Sequence, residues 1–267
     1  MKYSILSLFP EQVYDALRFS MTARAMDRGL IELNLVQIRD FAINEYGQVD
    51  DAPYGGGRGM VMMCEPIYNA WRSVVAQSDA NNCDQIVNHV DEKSQTTIQD
   101  SSAHTIFLSP AGKTFDQKMA LELSKKSHIA FICGHYEGVD ARVIEEIGAY
   151  EVSLGDFVLT GGELAAAVMI DAITRLLPGV LPDEEAWQLE SFSGGLLEWP
   201  QYTRPRVWRD RAVPDVLLSG HQANIERERD ISRLVETITK RPELLKGQSI
   251  DRTLWELVAK RFEDPLF

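Results

Sequence analysis

Cysteine is scarce in this 267-residue sequence: Cys64, Cys83 and Cys133 are odd in number, far apart and without a CxxC spacing. That excludes a disulfide framework and a zinc cluster of the usual spacing, and it fits a reducing compartment. Long apolar runs are also missing. The most apolar stretch, Leu164 to Leu177, is interrupted by Asp171 and Arg175 and reads as a buried helix, since a membrane span needs about 18 or more uncharged residues. The apolar segment after Met1-Lys2 stops at Pro10-Glu11, too soon and too acidic for a signal peptide. A cytoplasmic location with no membrane partner is therefore expected. Positive charge is short as well. With 27 Lys and Arg against 40 Asp and Glu, the net charge is −13. That argues against a general polyanion binder, whose affinity comes from phosphate neutralisation, although a local basic surface is sufficient for a specific one. No GxGxxG loop with a following acidic residue and no GxxxxGK[ST] loop occurs, which removes the dinucleotide and P-loop nucleotide sites.

What is present is a chain that is 45% hydrophobic, enough for a core without disulfides or metals. Tyr3 to Phe9 reads as a buried strand ending at a proline, with a helix over Glu11 to Phe19 and a second strand over Ile31 to Phe41. Residues 42–59 are turn-rich, and a helix is expected from Glu65 to Ala76. Residues 77–103 are dominated by Ser, Asp, Asn, Gln and Thr and bury too little to offset ordering entropy, so a mobile polar insertion is expected there. Strands at Thr105 to Leu108, Ile129 to Cys133 and Tyr150 to Leu154 then alternate with helices at Phe115 to Lys125, Val139 to Ile147 and Gly162 to Leu177. Alternation of this kind predicts an α/β fold, a parallel sheet with helices on both faces. Residues 178–214 hold five prolines and the Gly194-Gly195 pair and read as a linker between a domain at 1–177 and a small, charged helical C-terminal domain at 215–267.

Three loops follow predicted strands directly: Leu108 to Gly112, Gly134 to Gly138, and Gly155 to Glu163. Any one of them is an ordinary strand-to-helix turn. Three on consecutive strands, beyond the carboxyl ends of a parallel sheet, make a binding site for a flat polar ligand such as adenosine, because glycine lets backbone groups approach closely.

The segments LSPAGK, GHYEGVDARV and SLGDFVLTGGE, with the earlier YGGGRGM and the later QYTRP, resemble the bacterial tRNA guanine-N1 methyltransferases, a family of trefoil-knotted S-adenosylmethionine-dependent enzymes. The match runs in order from near residue 1 to about residue 250. It implies a deep knot in the C-terminal part of the sheet domain, an obligate homodimer with active sites built from both subunits, and tRNA as partner. The implied reaction is methylation of N1 of the guanine 3′ to the anticodon, position 37, and magnesium dependence is implied with no residue assigned to it.

Carried over by motif, the donor-binding residues are Leu108, Ser109, Pro110, Gly134, Tyr136, Glu137, Gly138, Leu154, Gly155, Asp156, Phe157, Val158, Leu159, Gly161 and Gly162. Around the target base the resemblance implies Arg58 and Gly59, and on the tRNA Tyr202 and Arg204. Attack by guanine N1 requires loss of its proton, so a carboxylate base and a cation near O6 are needed. Arg175 matches the family arginine suited to O6, although an Arg at a helix C-terminus is also favoured by the helix dipole alone. Glu190 stands where the family has the aspartate base, one methylene longer. Arg58 replaces a Pro, Ala111 a Gln, and His135 an Arg; a lone His is more often structural, and His135 receives no role. Arg204, Arg206, Arg209 and Arg211, interleaved with Tyr202 and Trp208, suit phosphate contact and base stacking, with further basic residues at Arg227, Arg229, Arg233, Lys240 and Arg241. Acidic neighbours leave a solvated surface as the plain alternative, and it is the resemblance that implies tRNA here. Three other readings compete: a knotted methyltransferase acting on another RNA nucleotide, a non-catalytic RNA-binding relative, and a small-molecule-binding α/β protein.

Overall fold

The computed structural model describes residues 1–83, 103–183 and 186–263. It divides into two compact units, Met1–Glu184 and Glu185–Phe267.

The first unit opens with β1 (Lys2–Ser7), α1 (Pro10–Leu17), α2 (Ser20–Asp27) and β2 (Glu32–Gln37). A small antiparallel pair, β3 (Asp50–Asp51) and β4 (Val61–Met62), precedes α3 (Cys64–Cys83). Then come β5 (His104–Thr114), α4 (Gln117–Leu123), β6 (His128–Cys133), α5 (Ala141–Ile147), β7 (Tyr150–Ser153) and α6 (Glu163–Thr174). The five long strands form one sheet in the order β2-β1-β6-β5-β7, parallel throughout. All six residues of the central β6 are buried, the pattern of a strand covered on both faces. On one face Leu6, Ala130 and Ile132 meet Ile67, Ala70 and Val74 of α3 and Val143 and Ile144 of α5. On the other, Tyr3 and Ser7 bond to Thr174 and Glu163 of α6. Each Ile or Leu so covered contributes about 1.5–3 kcal/mol.

Local chemistry sets the helix limits. Pro10 begins α1 at the position where its missing N–H costs nothing. Asp116 accepts the Met119 N–H at 2.8 Å to start α4, and Asp140 accepts the Arg142 N–H at 3.0 Å to start α5. Gly148 ends α5 in the left-handed conformation, at φ 66°.

The parallel α/β sheet and its alternation follow the sequence, and four boundaries differ. A helix, α2, occupies 20–27, where only Thr22 and Ala25 are buried and the periodic signal is too short to read. The expected strand to Phe41 ends at Gln37 in a 3-10 turn, Ile38–Phe41. α3 continues through 77–83, the start of the expected polar insertion, and the remainder of that insertion, 84–102, lies outside the described residues. β5 runs on to Thr114: Val152 of β7 pairs with both Leu108 and Lys113, so 109–112 is an irregularity within the strand pairing and not a separate turn.

The second unit contains a hairpin of β8 (Val207–Trp208) and β9 (Arg211–Ala212), then α7 (Asp215–Leu218), α8 (Gln222–Lys240) and α9 (Arg252–Glu263). Its core joins Ile231, Leu234 and Val235 of α8 to Val258 of α9, with Leu196 packed against them. The Leu197 N–H donates to Thr237 Oγ1 at 3.0 Å. Much of the stretch 178–214 expected as a linker is thereby counted with the second unit. Among the described residues no helix is long and apolar enough to cross a membrane.

Candidate active site

At the carboxyl ends of β5, β6 and β7, three adjacent strands, the first unit holds a cavity of about 310 Å³. Its wall takes Phe107 to Pro110 from β5, Gly134 to Val139 from the loop after β6, and Val152 to Leu154 with Phe157 to Gly162 from β7 and the loop after it. Of the residues expected to hold the donor, Leu108, Ser109, Pro110, Gly134, Tyr136, Glu137, Gly138, Leu154, Phe157, Val158, Leu159, Gly161 and Gly162 line this one cavity. Gly155 and Asp156 do not; they form the turn that brings Phe157 round, with the Phe157 N–H donating to the Gly155 carbonyl at 2.9 Å.

The loops converge because two glycines permit contacts that a side chain would block. A Cβ on Gly162 would sit 2.7 Å from Cys133 Cα, and one on Gly112 would run into the Val152 backbone. The Gly162 N–H donates to the Gly134 carbonyl at 3.0 Å, joining the second loop to the start of α6. The segment carrying Arg58 and Gly59 is held beside the second loop. The Glu137 N–H donates to the Met60 carbonyl at 3.0 Å, and the Met62 N–H to the Gly138 carbonyl at 2.9 Å. Gly59 backs onto the Glu137 side chain, while the Arg58 side chain is exposed.

Sequence reasoning gave no role to four residues here, His135, Glu163, Cys133 and Asp140. His135 lines the cavity, its Nε2 lies 3.0 Å from Glu163 Oε2, and Glu163 also accepts a hydrogen bond from Ser7. A buried carboxylate at a helix start leaves no mark in a sequence beyond the acidic residue that follows Gly161-Gly162. Cys133, fully buried beside Glu163, has its thiol pushed well up by burial and then by that charge, so it stays protonated. Asp140 is held below the usual carboxylate range by its hydrogen bond from Arg142, which keeps the α5 cap charged. Among the described residues no group of three His, Cys, Asp or Glu side chains converges on a metal position.

Arg175 is not at this cavity. It caps the far end of α6, twelve residues or about 18 Å along the helix from Glu163. There the preceding Thr174 bonds to Tyr3 at the amino end of the sheet. Glu190 closes the 3-10 turn Ala186–Leu189 in the second unit, where its N–H donates to the Trp187 carbonyl at 3.3 Å. Tyr202 and Arg204 line a separate cavity of about 580 Å³ within that unit, with Trp199, Arg206 and Arg229 in its wall. The Arg229 guanidinium lies 4.8 Å from the Trp199 ring, and Arg209 lies at the same distance from the exposed Trp208 at the hairpin tip.

Comparison with known proteins bears on this arrangement. Residues 1–247 match the family model described as tRNA (Guanine-1)-methyltransferase TrmD. The chain belongs to this family. A tRNA (guanine-N(1)-)-methyltransferase of Lachnoclostridium phytofermentans is 45% identical over 251 residues, which cover 92% of this chain and 91% of that protein. One of Carboxydothermus hydrogenoformans is 45% identical over 260 residues, covering 96% and 93%. One of Staphylococcus aureus strain Newman is 46% identical over 246 residues, covering 92% and 91%. All three carry the same name. Membership therefore extends across the cavity loops and through most of the second unit.

Proposed function

We propose that this chain is a cytoplasmic enzyme that transfers a methyl group from S-adenosylmethionine to N1 of the guanine 3′ to the anticodon, position 37, in tRNA. The observation that carries the reading is the convergence of three small-residue segments, the irregularity within β5 and the loops after β6 and β7, on one cavity of about 310 Å³, a size usual for small-molecule sites. The residues present fit the donor: Phe107, Leu154, Phe157 and Leu159 offer apolar wall to a purine ring, and Ser109, Glu137 and Thr160 offer polar groups beside it. When bound, the donor supplies an electrophilic methyl carbon. Glu190 accepts the proton of guanine N1, and Arg175 donates to O6, where negative charge collects as that proton leaves. Tyr202, Arg204 and the exposed arginines of the hairpin suit phosphate contact and base stacking. Magnesium, also implied by the resemblance, has no three-ligand cradle among the described residues, and none of these roles depends on it.

An exposed stripe on α6 supports a homodimer. Leu164 and Val168 are exposed on a helix whose other apolar residues are buried or, at Ala172, half-buried, and the spacing continues through Asp171 to Arg175 on the same stripe. A second copy laid antiparallel on this stripe under two-fold symmetry brings the end of one α6 to the start of the other. Arg175 of one copy then reaches the cavity of its partner, 18 Å or so from its own. The double pairing of Val152 with Leu108 and Lys113, and the close approach of Gly112 to Val152, support the deep knot.

The test is incubation of the purified chain with S-adenosylmethionine, magnesium and unmodified tRNA carrying guanine at position 37, followed by nucleoside mass spectrometry. 1-Methylguanosine at that position is the expected product. A different methylated nucleoside would move the reading to another RNA target. No product despite binding of tRNA and donor would leave a non-catalytic RNA-binding protein.

A further inference from the structure

Behind the cavity wall, against His135, lies a buried carboxylate that the reaction above does not use. Glu163, the first residue of α6, is 1% exposed, and both of its oxygens are engaged. Ser7 Oγ donates to Oε1, and His135 Nε2 lies 3.0 Å from Oε2. Ser7 Oγ itself accepts the Phe9 N–H at 2.7 Å, so its single proton is committed to the carboxylate. A carboxylate out of water is costly unless hydrogen-bonded and charge-compensated. The amino end of α6 supplies part of that compensation. Among the described residues His135 is the one basic side chain within ion-pair distance of it.

His135 also belongs to the cavity. Its ring lines the wall, edge-on to Phe9 at 5.1 Å and to Tyr136 at 6.2 Å. Gly161 lies directly on the ring, where a Cβ would come within 2.5 Å of Nε2. The contact with Glu163 therefore runs from the second loop to the point where the third loop enters α6. It lies beside the backbone bond from Gly162 to Gly134. These are two of the loops that a ligand in the cavity touches at once, and spacing errors of about 1 Å at such a place cost on the order of a hundredfold.

We propose that His135 is a positioning residue for the donor pocket. Through Glu163 it sets the spacing between the Gly134–Gly138 loop and the Gly161-Gly162 turn, and so sets affinity for an adenosyl ligand without affecting affinity for tRNA. The proposal rests on the donor-pocket reading given under Proposed function. Alanine at 135 removes the bond to Glu163, whereas arginine keeps a donor to it.

Calorimetric titration of the full chain with S-adenosylhomocysteine, together with initial rates varied in donor and in tRNA, tests it. His135→Ala is expected to raise the Kd for S-adenosylhomocysteine and the donor KM about tenfold, with the tRNA KM unchanged. His135→Arg is expected to return both to within about threefold of the parent. Glu163→Gln combined with His135→Ala should bind no more weakly than the worse single variant, because the two act through one contact. The proposal is overturned if His135→Ala binds as the parent does, if arginine is as poor as alanine, or if the losses of the two single variants multiply. A parent chain that binds no S-adenosylhomocysteine removes the donor-pocket reading and this proposal with it. A parent that binds normally beside an unaltered His135→Ala removes this proposal alone.

Discussion

The Tyr3 and Thr174 hydroxyls lie 3.2 Å apart in the core, which ties the last turn of α6 to the start of β1. Burial drives the Tyr3 phenol far above its usual range, so the bond is between neutral groups. Arg175 follows directly and is held at the amino end of the sheet, while the cavity lies at the carboxyl ends. The two belong to one reaction only if two copies share a site.

Mixed dimers check this sharing. Arg175→Ala alters the arginine, and Tyr136→Ala alters the cavity wall at a half-exposed ring. Each variant alone is expected to retain a few per cent of activity at most. Unfolded and refolded together in equal amounts, they should regain about a quarter of the parent rate, since half the dimers are mixed and each has one intact site. Absence of any recovery, with mixed dimers demonstrated by mass, would place both groups in one chain.

Gly162→Ala puts a methyl group 2.7 Å from Cys133 Cα, where the facing atoms are backbone and cannot turn aside. Overpacking of this kind is expected to cost about 1–3 kcal/mol, read as a lower urea midpoint at unchanged slope. Binding of S-adenosylhomocysteine should weaken with it, because α6 and the second loop are pushed apart at the cavity.

The parallel sheet was legible because β6 is apolar at nearly every position and the helices around it keep their period. The loops after β6 and β7 were legible because small residues follow those strands directly. Less could be read where pairing is non-local. Nothing local tells that Val152 pairs twice with β5, so 109–112 reads as a turn. The short helix α2 buries only Thr22 and Ala25, too little for a periodic signal. His135 looked structural because its partner stands 28 positions away, and whether Glu163 is buried depends on the packing of α6 against β1.

His128 makes stability fall on acidification. It is buried at the start of β6, with Nε2 2.9 Å from Ser4 Oγ, and burial lowers its pKa from 6.5 to about 4. Above pH 6.5 the ring is neutral in both states and contributes no pH dependence. Below 6.5 the unfolded chain takes up a proton that the folded chain refuses until about pH 4, so stability drops across that window. The full loss is about 3 kcal/mol. His128→Gln should flatten this part of the profile. The comparison is urea unfolding of parent and variant at pH 7, 5.5 and 4.5, and parallel profiles would show that His128 does not titrate between the two states.

Glu190 carries the largest expected effect on turnover. Its amide isostere keeps the size of the side chain and removes its basicity, so Glu190→Gln is expected to lower kcat about a hundredfold or more. KM for the donor should not move, because in the proposed reaction the group acts on the guanine proton and not on the donor. Raising the pH should partly restore the variant rate, since free guanine N1 then loses its proton to solvent more readily. The parent, which carries its own base, should show a smaller gain. The additional methylene of Glu190 relative to aspartate gives a second comparison. Glu190→Asp shortens the reach by one carbon within the same 3-10 turn, and a rate that falls would mean the surrounding backbone is set for the longer side chain. A Glu190→Gln variant with parental kcat would transfer the base role to another group while leaving methyl transfer itself in place.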